Sequence, residues 1–296
     1  MGRMGVRRLG MVLAGVGVLV ATGMPGPAQA AVAESVPCIN QVVWPDSANA
    51  VHETDVLAAK PPRNWGTYQL AQFVPVRAMS TWYMANGRRG EQYSYGLLLQ
   101  GAYLYRHSTL TPPGGRARVT ATKLGGGWTS FKSIATSNYD HQTPHSFLYG
   151  LNTNGNLYRY AASGAGYRAY GSFGGFRSFK AMAMISQQAT YDTLLMTTTA
   201  GALYTIHIPT TAKAKPVVKL IRKSGWSSFE SLLIEHCGNY NGSVVVGIDH
   251  NTDSGYQYLF SQAKGTATRI TPYGKIPGTF PGAVHASRTS GWLSGE

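Results

Sequence analysis

One short phrase returns along this chain at nearly constant spacing, and it restricts the possible folds more than any other feature. Gly126-Gly127-Trp128-Thr129-Ser130-Phe131, Gly174-Gly175-Phe176-Arg177-Ser178-Phe179 and Ser224-Gly225-Trp226-Ser227-Ser228-Phe229 place their closing phenylalanines 48 and 50 residues apart. A fainter copy, Pro277-Gly278-Thr279-Phe280, follows 51 residues later. Between them runs a second phrase, Leu104-Tyr105-Arg106, Leu157-Tyr158-Arg159 and Leu203-Tyr204-Thr205. A period of about 50 residues marks supersecondary units that bury a core only by stacking on one another.

Each unit reads as four short strands. In the clearest one, a strand from Lys132 to Thr136 is followed by Phe147–Leu151, a tight Asn154-Gly155 turn, Leu157–Ala161 and Tyr167–Gly171. Apolar and polar residues alternate in these pieces, and Asn-Gly tolerates the positive φ of a hairpin turn. The first strands of successive units are expected at Val76–Met84, Lys132–Thr136, Lys180–Ser186, Glu230–His236 and Pro281–Ser287. The last has no strands after it, while Ile39–Trp44, Val51–Leu57 and Tyr68–Gln72 have no first strand before them. The economical arrangement is an all-β, five-bladed β-propeller closed by pairing of the N- and C-terminal strands, which removes the open edge. Cys38 and Cys237, the two cysteines, fall on one face of neighbouring blades in this scheme, and their disulfide would pin the closure.

The N-terminus carries Arg3, Arg7 and Arg8, an apolar run from Met11 to Val20, and Ala28-Gln29-Ala30. That is the layout of a secretory signal peptide over residues 1–30, too short in its apolar part to anchor in a bilayer. The mature chain, residues 31–296, is expected to be a single propeller domain, secreted, with no membrane insertion. Charged residues are only 13% of the chain and glycines number 36, a composition for short strands and many turns. The net charge is +14, and removal of the leader leaves 23 basic and 12 acidic residues, or +11. Outside the cell that balance favours anionic envelope polymers and glycans over nucleic acid.

Catalytic signatures are missing: there is no H-E-x-x-H, no G-x-S-x-G and no clustered carboxylate pair. The protein is expected not to be an enzyme and to need no cofactor. Asp249, Asn251, Asp253 and Gly255 have calcium-like spacing, but Ser254 and Phe260 stand where such a loop needs Gly and Glu, so the run reads as a lengthened turn. Asp140, His141 and His145 read as a polar turn. No metal site is expected.

The run from Arg116 through Leu124, Gly125, Gly126, Gly127, Trp128, Phe131 and Lys132, with Leu104-Tyr105 and Thr111-Pro112-Pro113, resembles the blade repeat of tachylectin-2-like lectins. The likeness spans roughly Val76 to Phe280. It implies a five-bladed propeller that binds N-acetylated hexosamines between blades, in pockets made from the outer-strand loop and a neighbouring link. Here those are loops 111–116, 162–167 and 209–215 with the links at Trp128, Phe176 and Trp226. The resemblance therefore implies sugar contacts from Trp128, Phe176, Trp226, Arg116 and Tyr167. The family's loop carries an acidic or amide residue beside a tryptophan, which these three loops lack. The expected partners are glycans on cell envelopes, bound at several modest sites acting together. The alternative is a propeller-type interaction or targeting subunit of a secreted complex, such as an antibacterial toxin assembly, with other secreted proteins as partners.

Overall fold

The computed structural model describes residues 38–72, 75–141, 144–237 and 242–289; the leader expected over residues 1–30 and the side chain of Cys237 lie outside the described residues. The described residues are all-β, with no α-helix among them, and no helix there is long and apolar enough to cross a membrane.

Three strands come first: β1 (Ile39–Pro45), β2 (Ala50–Leu57) and β3 (Arg63–Gln72). The first full unit holds β4 (Ala78–Met79), β5 (Trp82–Asn86), β6 (Gln92–Gln100), β7 (Tyr103–Thr111) and β8 (Arg118–Gly126). The second holds β9 (Phe131–Tyr139), β10 (His145–Asn152), β11 (Leu157–Ser163) and β12 (Gly166–Phe173). The third holds β13 (Phe179–Gln187), β14 (Tyr191–Thr198), β15 (Leu203–Pro209) and β16 (Val217–Arg222). The fourth holds β17 (Ser231–Cys237), β18 (Gly242–Asp249), β19 (Ser254–Ser261) and β20 (Ile270–Lys275), and β21 (Ala286–Thr289) ends the series.

The second, third and fourth units are separate antiparallel four-stranded sheets. A nine-stranded sheet in the order β3-β2-β1-β21-β5-β6-β7-β8, with β4 on β6, contains the rest. Within it β21 pairs antiparallel with β1, Val42 opposite Ser287, and touches β5 only through a two-residue parallel bridge, Arg288↔Trp82 and Thr289↔Tyr83. The pairing of the first and last strands is therefore as the repeat count requires. Arg288 adds an ion pair there, its Nη1 2.6 Å from Glu53 Oε2 on β2. Innermost strands pack side by side, β4 on β9, β9 on β13, β13 on β17 and β17 on β21, and together line a cavity of about 70 Å³.

The repeated phrase has a local explanation. Its aromatic residue donates a backbone hydrogen bond back to the preceding unit: Trp128 N to Ala102 O (3.1 Å), Phe176 N to Gly155 O (2.8 Å) and Trp226 N to Gly201 O (3.1 Å). The turn that allows this puts Gly127, Gly175 and Gly225 at φ of 87°, 91° and 95°, where a side chain is strained. The closing Phe then folds over the next sheet. A Cβ at Gly150 would sit 2.6 Å from the Phe131 ring, so that ring lies directly on backbone.

A basic residue beside the link staples units together. Arg77 donates Nε to Gly101 O (2.8 Å), Nη2 to Trp128 O (2.8 Å) and Nη1 toward the Thr129 and Phe131 carbonyls. Lys132 Nζ reaches Phe179 O at 2.6 Å, and Lys180 Nζ reaches Ser227 O and, at 2.8 Å, Glu230. Charge-assisted bonds of this kind are worth about 1.5–3 kcal/mol when desolvated, and Arg77 is exposed. Arg77→Ala is expected to destabilise the fold by roughly 1–3 kcal/mol in urea unfolding; an unchanged midpoint would mean that water replaces the guanidinium at no cost.

Several boundaries differ from expectation: β3 begins at Arg63 rather than Tyr68, and β9 runs on to Tyr139 past Thr136. The strand expected at Val76–Met84 is broken between β4 and β5, because Ser80 Oγ takes the Leu97 amide (3.0 Å) in place of the ladder partner. The strand expected at Pro281–Ser287 begins at Ala286, after Gly282 turns at a φ of 90°. The Asp249–Ser254 segment is a lengthened turn, with Asn251 N bonded to Asp249 Oδ1 at 2.9 Å.

Candidate functional site

Three adjoining cavities run along the boundary between the first and second units. The largest, about 580 Å³, opens between β5–β6 and the β9–β10 connection and is lined by Tyr83, Tyr95, Asn138, Tyr139, Asp140, His145 and Ser146 among others. A cavity of about 110 Å³ shares Tyr83, Tyr95, Asn138 and Ser146 with it and adds Arg106 and Tyr167. A third, about 140 Å³, lies at the link and is bounded by Gly125, Gly126, Gly127, Trp128, Tyr160 and Tyr167.

The polar groups of the large pocket hold one another in place. Ser146 Oγ donates to Asn138 Oδ1 (2.7 Å), and Asn138 Nδ2 reaches the Tyr95 hydroxyl at 3.4 Å. The amide is thus oriented from both ends. Tyr83 donates to Thr136 O (3.0 Å), with its ring 5.7 Å from that of Tyr95. Burial pushes the Tyr83, Tyr95 and Tyr167 hydroxyls above the ordinary phenol range, so all three stay neutral near pH 7. His145 stacks on Tyr139 with centroids 5.6 Å apart.

Behind His145 lies a buried network. Asp192, wholly inaccessible, accepts from Ser137 Oγ (2.7 Å) and Tyr149 OH (2.7 Å) and contacts His145 Nε2 at 3.1 Å. The residue types are those of a hydrolase triad, but the geometry is not. His145 meets Ser137 and Asp192 through the same nitrogen, and the Ser137 hydroxyl is buried against the carboxylate. A triad needs the acid and the nucleophile on opposite ring nitrogens. The network orients the His145 ring at the pocket wall. Among the described residues, no group of three or more His, Cys, Asp or Glu is placed to hold a metal.

The structure brings together two of the five residues implied as sugar contacts, Trp128 and Tyr167, in the third cavity. Arg116 is exposed in the β7–β8 turn and lines none of these three cavities. Phe176 and Trp226 lie at their own unit boundaries. Of the residues implied as sugar contacts, Trp128, Phe176 and Trp226 are buried, with exposures of 6%, 3% and 5%. Trp128 packs on Phe131 (4.6 Å) and Tyr160 (5.0 Å), Phe176 on Phe179 (5.3 Å), and Trp226 on Tyr258 (5.0 Å) and Phe229 (5.4 Å). A ring enclosed by core neighbours contributes buried area rather than a free face. Open aromatic surface comes instead from Tyr95, 39% exposed, and its neighbours in the large pocket.

Sequence reasoning passed over Tyr83, Tyr95, Asn138, Tyr139 and Ser146, and took Asp140, His141 and His145 for an ordinary turn. The available signal was positional: Tyr83 on β5 and Tyr139 at the end of β9 lie in corresponding parts of consecutive units.

No protein-family model matches the chain, and no curated protein matches it. Among solved structures, it is similar to the Aleuria aurantia lectin in complex with alpha-methyl-L-fucoside, at 13% identity over 82% of this chain and 80% of that one, TM-score 0.44. It is also similar to the SapL1 lectin in complex with alpha methyl fucoside (9% identity, 81% and 97% coverage, TM-score 0.42). A third is the catalytic domain of the Coprinopsis cinerea GH62 alpha-L-arabinofuranosidase (13% identity, 69% and 74% coverage, TM-score 0.45). Likenesses this distant assign neither family nor ligand, and the functional reading rests on the pocket.

Proposed function

We propose that this protein is a secreted, non-enzymatic lectin that recognises cell-surface or cell-wall glycans, N-acetylated hexosamines among them, through sites between its units. The observation that carries this is the large boundary pocket: neutral tyrosines and a stacked histidine beside an amide and a hydroxyl that are already oriented. Aromatic faces suit the C–H face of a sugar ring, and fixed amide and hydroxyl groups suit its hydroxyl and acetamido substituents. The fold we infer is a five-bladed propeller of the tachylectin-2-like kind. It is supported by the five innermost strands around one cavity and by the β1–β21 pairing. A Cys38–Cys237 disulfide fits the same scheme. Cys38 is buried against Val244, which faces Glu235 on β17, two residues from Cys237.

A glycan array with the purified protein tests the reading. Binding to N-acetylhexosamine glycans is expected, and Tyr95→Ala and Asn138→Ala are each expected to weaken it about tenfold, the loss of one net hydrogen bond or ring contact. Capture of a secreted protein with no sugar bound, or binding indifferent to both substitutions, would overturn it.

A further inference from the structure

Two sets of arginines in this chain have different surroundings. Arg77, Arg159, Arg222 and Arg288 donate to backbone carbonyls or to Glu53 and hold the fold together. Arg88, Arg89, Arg116 and Arg118 are exposed, and among the described residues none of them forms an ion pair. These four share one corner. Arg88 and Arg89 sit in the β5–β6 turn and Arg116 in the β7–β8 turn, while Arg118 opens β8. The two turns touch, since a Cβ at Gly90 would lie 3.3 Å from Pro113.

The corner is continuous with the boundary pocket. Tyr95 lines the pocket, and Tyr93, two residues along β6, lies on the same sheet face and is 44% exposed. Tyr93 stands opposite Leu110, and Leu110 opposite Arg118, so Arg118 shares that face as well. Ala85 on β5 lines the pocket, and Arg88 follows three residues later in the turn, at most about 10 Å away along the chain. An aromatic strip therefore leads from the tyrosine pocket to a group of unpaired guanidinium groups.

We propose that this surface binds an acidic polysaccharide in which neutral and carboxylate- or sulfate-bearing sugars alternate. The neutral ring occupies the tyrosine pocket and the anionic neighbour meets the arginine corner. The inference rests on the glycan reading of the pocket and gives its ligand a charge pattern. Asp140, 75% exposed at the pocket wall, disfavours an anion inside the pocket itself, so the negative groups must lie outside it. A polyanion with a phosphate at every step lacks the neutral ring that the pocket takes. Guanidinium forks match carboxylate and sulfate oxygens in pairs.

The test uses the full chain with three probes: a hyaluronan octasaccharide, the same oligosaccharide with its carboxylates reduced to alcohols, and chitohexaose. Titration calorimetry at low and high salt is expected to give at least tenfold tighter binding of the acidic form at low salt, with the advantage lost at high salt. The triple variant Arg88→Ser, Arg89→Ser, Arg118→Ser is expected to abolish the difference while chitohexaose binding and the melting temperature stay unchanged. Equal binding of the acidic and reduced forms would overturn the proposal and leave the glycan reading standing. Failure of all three probes would overturn both. Inorganic polyphosphate binding as tightly as the acidic glycan, with no response to Tyr95→Ala, would make the corner a bare polyanion patch and overturn the proposal.

Discussion

Replacing Arg159 with alanine is expected to cost roughly 2–5 kcal/mol of stability, the scale for truncating a large buried side chain and leaving its hydrogen-bond partners unpaired. No part of Arg159 is accessible to solvent. It leaves β11 of the second unit and donates to Pro209 O (2.6 Å) and Thr211 O (2.8 Å) at the end of β15 in the third. Its guanidinium also stands over the rings of Tyr170 (4.8 Å), Phe147 (5.0 Å) and Phe173 (5.5 Å). Loss of the side chain opens a cavity among three aromatics and strands two carbonyls. Arg159→Met separates these effects: it restores volume but not the hydrogen bonds, and is expected to recover part of the loss. Denaturant unfolding measures both variants. A cost below about 1 kcal/mol for alanine would mean that the two units hold together without this staple.

The second large effect is a stability maximum bounded on both sides by buried groups. Burial pushes the Glu235 carboxyl up to about 8, against the opposing hydrogen bond from Thr289 Oγ1 at 2.9 Å. Its folded-state value exceeds the ordinary 4.5, so the folded chain holds this proton more tightly than the unfolded one. That stabilisation is complete below pH 4.5 and is lost as pH rises to about 8. Burial pushes His285 down to about 3, helped by neighbouring His250 and opposed by the bond to Phe280 O. Its folded value lies below the ordinary 6.5, so its contribution is present above pH 6.5 and lost as pH falls toward 3. Each limb carries a few kcal/mol, since one pKa unit corresponds to about 1.4 kcal/mol. Thermal melts across pH 3–9 are expected to trace a plateau between about pH 4.5 and 6.5 with a fall on either side, Glu235→Gln flattening the alkaline limb and His285→Gln the acid limb. Limbs that both substitutions leave in place would assign the falls to other groups.

Much of the fold was legible because the repeat is written in residues with a local mechanical role. Gly127, Gly175 and Gly225 must turn at positive φ, and Phe131 must lie on the bare backbone of Gly150, so the phrase recurs wherever the chain passes between units. The break at Ser80 was hidden because a serine side chain taking a ladder amide looks like any strand serine. The site was harder for a different reason. Tyr83, Tyr95, Asn138 and Ser146 are unremarkable strand residues one by one, and become a pocket only when β5–β6 of one unit stands against β9–β10 of the next. The links were prominent in the sequence because they are structural, which is why Trp128, Phe176 and Trp226 drew attention that the pocket residues did not.

The pairing of β1 with β21 also sets the order of events during synthesis. β1, β2 and β3 are made before the other described strands, yet their sheet gains its innermost member only when residues 286–289 have emerged. Until then Val42 and Val43 on β1 have no strand opposite them on that side. The four units between can each form from neighbours in sequence, with closures of modest length. The final pairing spans more than two hundred residues and is the slow, non-local step. The first of the described strands are therefore the last to be completed, and the sheet of β1 stays open on that side until residues 286–289 are in place.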